Sequence, residues 1–175
     1  MNRIEKGSLL VLAIIVAFNI FFGLGSIPLL DPDEPVYAET AREMIQFNDY
    51  LSPRIYNEYW FDKPPMYYWL VAGAMHVFGD GEFAARFPAA LMAFLTVIML
   101  YCSITRLFNE RTGFWSALVL ATSVQFFYLG KAAVTDTTLL FFLTGSLLCY
   151  LHKQYWLMYK SSSTVILPPG SIRCT

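Results

Sequence analysis

The sequence predicts an all-α, polytopic membrane protein with about four transmembrane helices and a large outer loop carrying two amphipathic surface helices. Three observations lead there. Hydrophobic residues make up 57% of the chain and charged residues only 14%, a balance too apolar for an ordinary soluble domain of this length. The apolar residues are gathered into long runs with short charged connections between them. Between the first two runs lies a polar, carboxylate-rich island, residues 31–65, reading DPDEPVYAETAREMIQFNDYLSPRIYNEYWFDKPP. A net charge of −1 leaves no bulk electrostatic attraction for a nucleic acid.

Residues 1–7 carry Arg3 and Lys6 and read as a cytoplasmic N-terminus. Residues 8–30 are apolar except for Asn19 and exceed the roughly 20 residues that span a hydrocarbon core. A cleaved signal peptide is the alternative, with Gly23 and Gly25 as its small-x-small pattern. The run is longer than a signal h-region of roughly 7–15 residues, which favours a span. Residues 31–85 then form the outer loop. Within it, residues 34–47 set Tyr37, Ala41, Met44, Ile45 and Phe47 against Glu39, Arg42, Glu43 and Gln46, the pattern of an amphipathic helix. Pro35 suits its first position, with Asp33 or Glu34 near the cap. Pro53 and Asn57 mark residues 48–59 as irregular.

The next apolar stretch, 64–79 (PPMYYWLVAGAMHVFG), is short for a span, rich in Tyr and Trp, and carries His76. Such a stretch fits a helix lying on the membrane surface, and its two prolines fit a helix start. Three further spans are expected within 86–157, at about 87–105, 114–130 and 137–151. The positive-inside rule then puts Arg3, Lys6, Arg106, Arg111, Lys153 and Lys160 in the cytoplasm. The outer loop and the 131–136 connection fall together on the other side. Residues 158–175 read as an irregular tail. Cys102, Cys149 and Cys174 have neither zinc nor disulfide spacing and read as small core residues.

Chemistry is expected at the ends of the island. Asp33 and Glu34 sit at the positive end of a helix, where a carboxylate stays ionised and can orient or deprotonate an attacking hydroxyl; helix capping is the structural alternative. Three carboxylates within four residues, Asp31, Asp33 and Glu34, could also recruit a divalent cation, with Asp33 and Asp62 as the candidate ligands across the loop. Lys63, between Asp62 and Pro64 at the membrane edge, suits an anionic phosphate leaving group, or merely snorkels to headgroups. Asp136, at the outer start of the last span, is expensive against lipid and is expected to face protein or a watery cavity, unless it only caps its helix. Lys131 is either a phosphate contact or an interfacial anchor. Tyr37, one turn after Asp33, completes the candidate substrate-binding set of Lys63, Asp62, Tyr37 and Lys131.

Four blocks in order, DPDEPVYAETAREM, YWFDKPPMYYWL, FGDGEFAARFPAAL and GKAAVTDTTLLFF, resemble the front end of the GT-C membrane glycosyltransferases. The family in question includes dolichyl-phosphate-mannose protein mannosyltransferases and the bacterial 4-amino-4-deoxy-L-arabinose lipid A transferase. The resemblance implies an enzyme of a bacterial inner membrane that takes a sugar from a polyprenyl-phosphate carrier, with inversion, and passes it to a lipid A or protein acceptor on the outer side. It implies Asp33 as base or acceptor-orienting group, with Glu34 beside it and Asp136 facing the same cavity. Lys63, in the block DKPP, would bind the carrier phosphate, with Asp62 as its acidic neighbour. Val36 stands where the arabinose transferases carry an arginine. Beyond about residue 158 the resemblance fades, and a truncated or frameshifted product is expected. The competing reading is a non-catalytic membrane subunit whose outer carboxylates only cap helices.

Overall fold

The computed structural model describes residues 3–30 and 33–165, and the described residues are almost entirely helical. In chain order they form α1 (Arg3–Phe21), α2 (Asp33–Phe47), β1 (Arg54–Ile55), β2 (Glu58–Tyr59), α3 (Pro65–Phe78), α4 (Glu82–Leu107), α5 (Glu110–Thr122), α6 (Val124–Lys131) and α7 (Asp136–Val165). Asp31 and residues 166–175 lie outside the described residues.

Helix α4 is the hub, packing against α1, α3, α5, α6 and α7. Its sequence explains why: Ala84, Ala85, Ala89, Ala90 and Ala93 are all buried, and small side chains let helix backbones approach closely. Helix α5 answers with Gly113, Ala117 and Ala121 at successive i+4 positions, each buried. A Cβ on Gly113 would collide with Thr105 Oγ1 and press on the backbone of Thr105 and Tyr101. Gly130 of α6 packs against Ala93 in the same way, its Cβ position lying 3.2 Å from the alanine methyl.

Two apolar cores result. One joins α2 and α3 to the start of α4 around Tyr37, Met44, Tyr67, Tyr68 and Val71. The other joins α1, α4, α5 and α6 around Leu12, Val16, Val97 and Phe126.

Three stretches depart from the sequence reading. The apolar run 8–30 is helical only to Phe21; it then turns through Gly23, at φ 69°, and continues without regular structure to Leu30. Carbonyls in this unwound segment are taken by a side chain of α4, described below. The run 114–130 is broken: α5 and α6 meet at a 65° bend. Ser123 is at once the C-cap of α5 and the N-cap of α6, its Oγ accepting from the Phe126 N–H at 3.3 Å. The last helix does not stop near 151, and the tail expected to be irregular from 158 is helical as far as Val165. Among the described residues, α4 is the helix long and apolar enough to cross a membrane unbroken; α5 and α6 qualify only as a bent pair, and the apolar part of α1, Gly7–Phe21, is shorter.

The segment between α1 and α4 holds helices at Asp33–Phe47 and Pro65–Phe78. Between them, where irregular chain was expected, stands a two-residue β-hairpin pairing Arg54 with Tyr59 and Ile55 with Glu58. Tyr56 and Asn57 at its tip have φ of 53° and 69°, as the turn matching strand twist requires. The Glu43 carboxylate accepts the Asn57 N–H at 3.2 Å from each oxygen, and Trp69 Nε1 donates to the Tyr50 carbonyl at 2.6 Å. The hairpin tip is thereby fastened to α2, and the chain leading into it to α3.

Candidate functional site

The start of α2 is built around a buried ion pair. Glu34 and Arg86 are 4% and 5% exposed, and they meet as two forks: Nε donates to Oε1 at 2.9 Å and Nη2 to Oε2 at 2.7 Å. Each carboxylate oxygen accepts one further bond, Oε2 from the Leu30 N–H at 2.7 Å and Oε1 from the Ala133 N–H at 2.6 Å. Arg86 spends its remaining donors on backbone carbonyls. Nη1 reaches Leu24 and Ile27 at 3.1 and 2.7 Å, and Nη2 reaches Pro28 at 2.9 Å. Five N–H donors make five bonds, and the four lone-pair sites of the carboxylate are filled.

Electrostatics follow the geometry. Burial pushes the Glu34 carboxyl up, but the Arg86 hydrogen bond, the Leu30 and Ala133 N–H groups and the guanidinium charge outweigh it and hold the group below its ordinary 4.5. Glu34 is therefore a fixed anion with no free lone pair. This corrects the expectation that it stands beside Asp33 as a second catalytic carboxylate.

The same bonds decide what lies near what. Ala133 belongs to the short connection between α6 and α7, so its bond to Glu34 pins that connection against the head of α2. Asp33, one residue before Glu34, and Asp136, three after Ala133, are both exposed and start their helices at this junction. Tyr37 packs against Tyr67 and Tyr68 with ring centroids 5.0 and 5.6 Å apart, which brings together the first turns of α2 and α3. Lys63 and Asp62 precede the first turn of α3, exposed and paired at 3.6 Å. Tyr37 itself is 4% exposed, a packing residue rather than a substrate contact. Burial, then the neighbouring Tyr37 and Asp62, push the Tyr68 hydroxyl up to about 12, so it stays protonated at neutral pH.

Lys131 closes the last turn of α6. Its Nζ donates to the Phe22 carbonyl at 2.8 Å and lies 4.7 Å from the centre of the Phe127 ring. It stands with Glu34 and Arg86 on the wall of a cleft of about 270 Å³ floored by Leu24, Ile27 and Leu30. Among the described residues no three His, Cys, Asp or Glu side chains converge as a metal cage would require. Sequence reasoning missed Arg86. Its signal was available: an arginine in the fifth position of a helix whose other charges, Glu82 and Arg106, sit at its two ends must find a partner.

Comparison with known proteins defines the class. Over 82% of its length the chain superposes on ArnT from Cupriavidus metallidurans with a TM-score of 0.76 at 26% identity, covering 27% of the apo structure. The ArnT structure bound to undecaprenyl phosphate gives the same score and identity and is covered to 26%. The undecaprenyl phosphate-alpha-4-amino-4-deoxy-L-arabinose arabinosyl transferase of Yersinia enterocolitica is 33% identical over 150 residues, 85% of this chain and 27% of that protein. Fold and sequence are thus those of a member of the ArnT-like, GT-C family. The profile of dolichyl-phosphate-mannose-protein mannosyltransferases matches residues 62–161, and the chain belongs to that family. It spans about a quarter of the length of the relatives it matches.

Proposed function

We propose that this chain forms the outer-face front of a glycosyltransferase that moves a sugar from a polyprenyl-phosphate carrier to lipid A at the bacterial inner membrane. The observation that carries the reading is the junction at Glu34, which gathers the heads of α2 and α7 and leaves the Asp33 and Asp136 carboxylates exposed beside it. In this role Asp33 orients the acceptor for in-line attack on the anomeric carbon. A phosphate acceptor is already a nucleophile, whereas a serine or threonine of a protein acceptor would need Asp33 as base. Lys63 balances the charge that develops on the departing carrier phosphate. Asp136 is the second carboxylate offered to the acceptor at this junction, and any divalent cation would fall to Asp33 with Asp62.

The membrane setting rests on exposed apolar stripes. Leu10, Ile14 and Phe18 line one face of α1 and Leu139, Leu143 and Leu147 one face of α7, each more than half exposed. Contiguous apolar surface of this kind calls for lipid or protein cover. We place α1, α4, the bent α5–α6 pair and α7 as four crossings, with the N-terminus cytoplasmic and residues 31–85 outside.

Membranes carrying the protein, supplied with radiolabelled undecaprenyl-phosphate aminoarabinose and lipid A, test the assignment. Asp33→Asn is expected to lower kcat by about 10²-fold through lost orientation. Lys63→Ala is expected to lower kcat and kcat/KM together, since its contact strengthens in the transition state. Transfer undiminished in both variants would overturn the reading.

A further inference from the structure

We infer that Arg86 is a positioning residue: acting through Glu34, it sets the spacing between Asp33 at the head of α2 and Asp136 at the head of α7. This rests on the function proposed above and adds to it a residue that touches no substrate. Three chain segments meet at the pair. Residues 24–30 are held by three carbonyls on Arg86 and by the Leu30 N–H on Glu34. The head of α2 is held by Glu34 itself. The 132–135 connection is held by the Ala133 N–H on Glu34 Oε1. Arg86 is anchored in α4, the helix that every core helix of the bundle touches, so it refers all three segments to one rigid frame.

The polarity of the socket makes the role specific. Glu34 faces backbone N–H groups and Arg86 faces backbone carbonyls, so the two side chains cannot trade places. Exchanging them restores an ion pair but sets a guanidinium against donors and a carboxylate against acceptors. Nor can lysine stand in for Arg86, since three rotatable donors replace a planar fork of five. A pair that mattered only as two opposite charges would tolerate the exchange.

The test uses the full chain with Cys102, Cys149 and Cys174 changed to Ser, and Asp33→Cys with Asp136→Cys as reporters. A short bis-thiosulfonate reagent measures their spacing in membranes. The parent is expected to cross-link. Arg86→Lys and the exchange Glu34→Arg with Arg86→Glu are expected to cross-link at least tenfold more slowly, with helix content by circular dichroism unchanged. Glu34→Gln, which keeps the shape of the socket, serves if either folds poorly and is expected to fall between. Parent-like cross-linking in the folded variants overturns the inference. In the transfer assay, without reporters, Arg86→Lys is expected to lower kcat by about 10²-fold and leave the carrier KM within about twofold. Loss of kcat without loss of cross-linking would also count against positioning. If the parent cross-links but no form of the protein transfers sugar, the functional reading fails while the geometric one stands.

Discussion

Asp33 and Glu34 are adjacent carboxylates with opposite surroundings. Asp33 is exposed at the helix start, whereas Glu34 is buried and takes four hydrogen bonds. Their shared motif was legible as acidic residues at a helix head, but not which of the two faces water. That is settled by Arg86, 52 residues away, and by a backbone N–H 99 residues away, neither of which leaves a local mark. Removing one partner strands the other charge in the interior. Glu34→Ala is expected to destabilise the fold by about 3–5 kcal/mol, read by denaturant unfolding in detergent. The Glu34 carboxyl is lowered in the folded state from its ordinary 4.5. Its stabilisation is therefore fully present above that value and is lost as pH falls through the lowered folded value. Unfolding midpoints of the parent should drop through that acid window, and those of Glu34→Gln should drop less.

At the scale of elements, Pro35 and the Pro64–Pro65 pair stand at the starts of the helices Asp33–Phe47 and Pro65–Phe78, and such prolines are a start signal that a sequence carries openly. The bend at Ser123 was not legible, since hydropathy sees an unbroken apolar run while the cap chemistry of one serine decides the geometry. The hairpin was hidden for a related reason: its first turn residue is Tyr56, where Asn or Gly would announce a turn. A bulky residue in the left-handed region costs about 1 kcal/mol. Tyr56→Asn should therefore raise hydrogen-exchange protection of the Trp60 N–H, which bonds the Pro53 carbonyl at 2.8 Å, by about fivefold. Gly113→Ala, by contrast, would force α5 off α4 at Thr105 and Tyr101. Overpacking of this kind costs about 1–3 kcal/mol, and a lowered thermal midpoint is the expected readout.

For the whole molecule, composition announced a membrane-type chain, and the order of four short motifs pointed to the family that the profile match establishes. Topology is the finer matter. With four crossings, a cysteine at Asn57 and one at Asn109 should label from opposite faces of sealed vesicles with a membrane-impermeant reagent. Labelling of both from one face would remove a crossing. The sequence pattern could not show α4 as the centre of the bundle, because its credentials are small residues, and alanine carries little weight in a hydropathy sum. Only when the neighbours are in place does the row of buried alanines become a docking surface within the helix that all the others touch.

The Glu34–Arg86 socket also imposes an order on biogenesis. The ribosome delivers residues 24–34 well before Arg86, and Ala133 later still. Until α4 emerges, Glu34 lacks the Arg86 cation and the carbonyls of Leu24, Ile27 and Pro28 lack its donors. The site joins residues 52 and 99 apart in the chain, and contacts of such separation carry a loop-closure cost that local ones do not. A nascent chain halted before Arg86 would keep the packing of Tyr37 on Tyr67 and Tyr68 yet lack the guanidinium that fixes the head of α2 against residues 24–30.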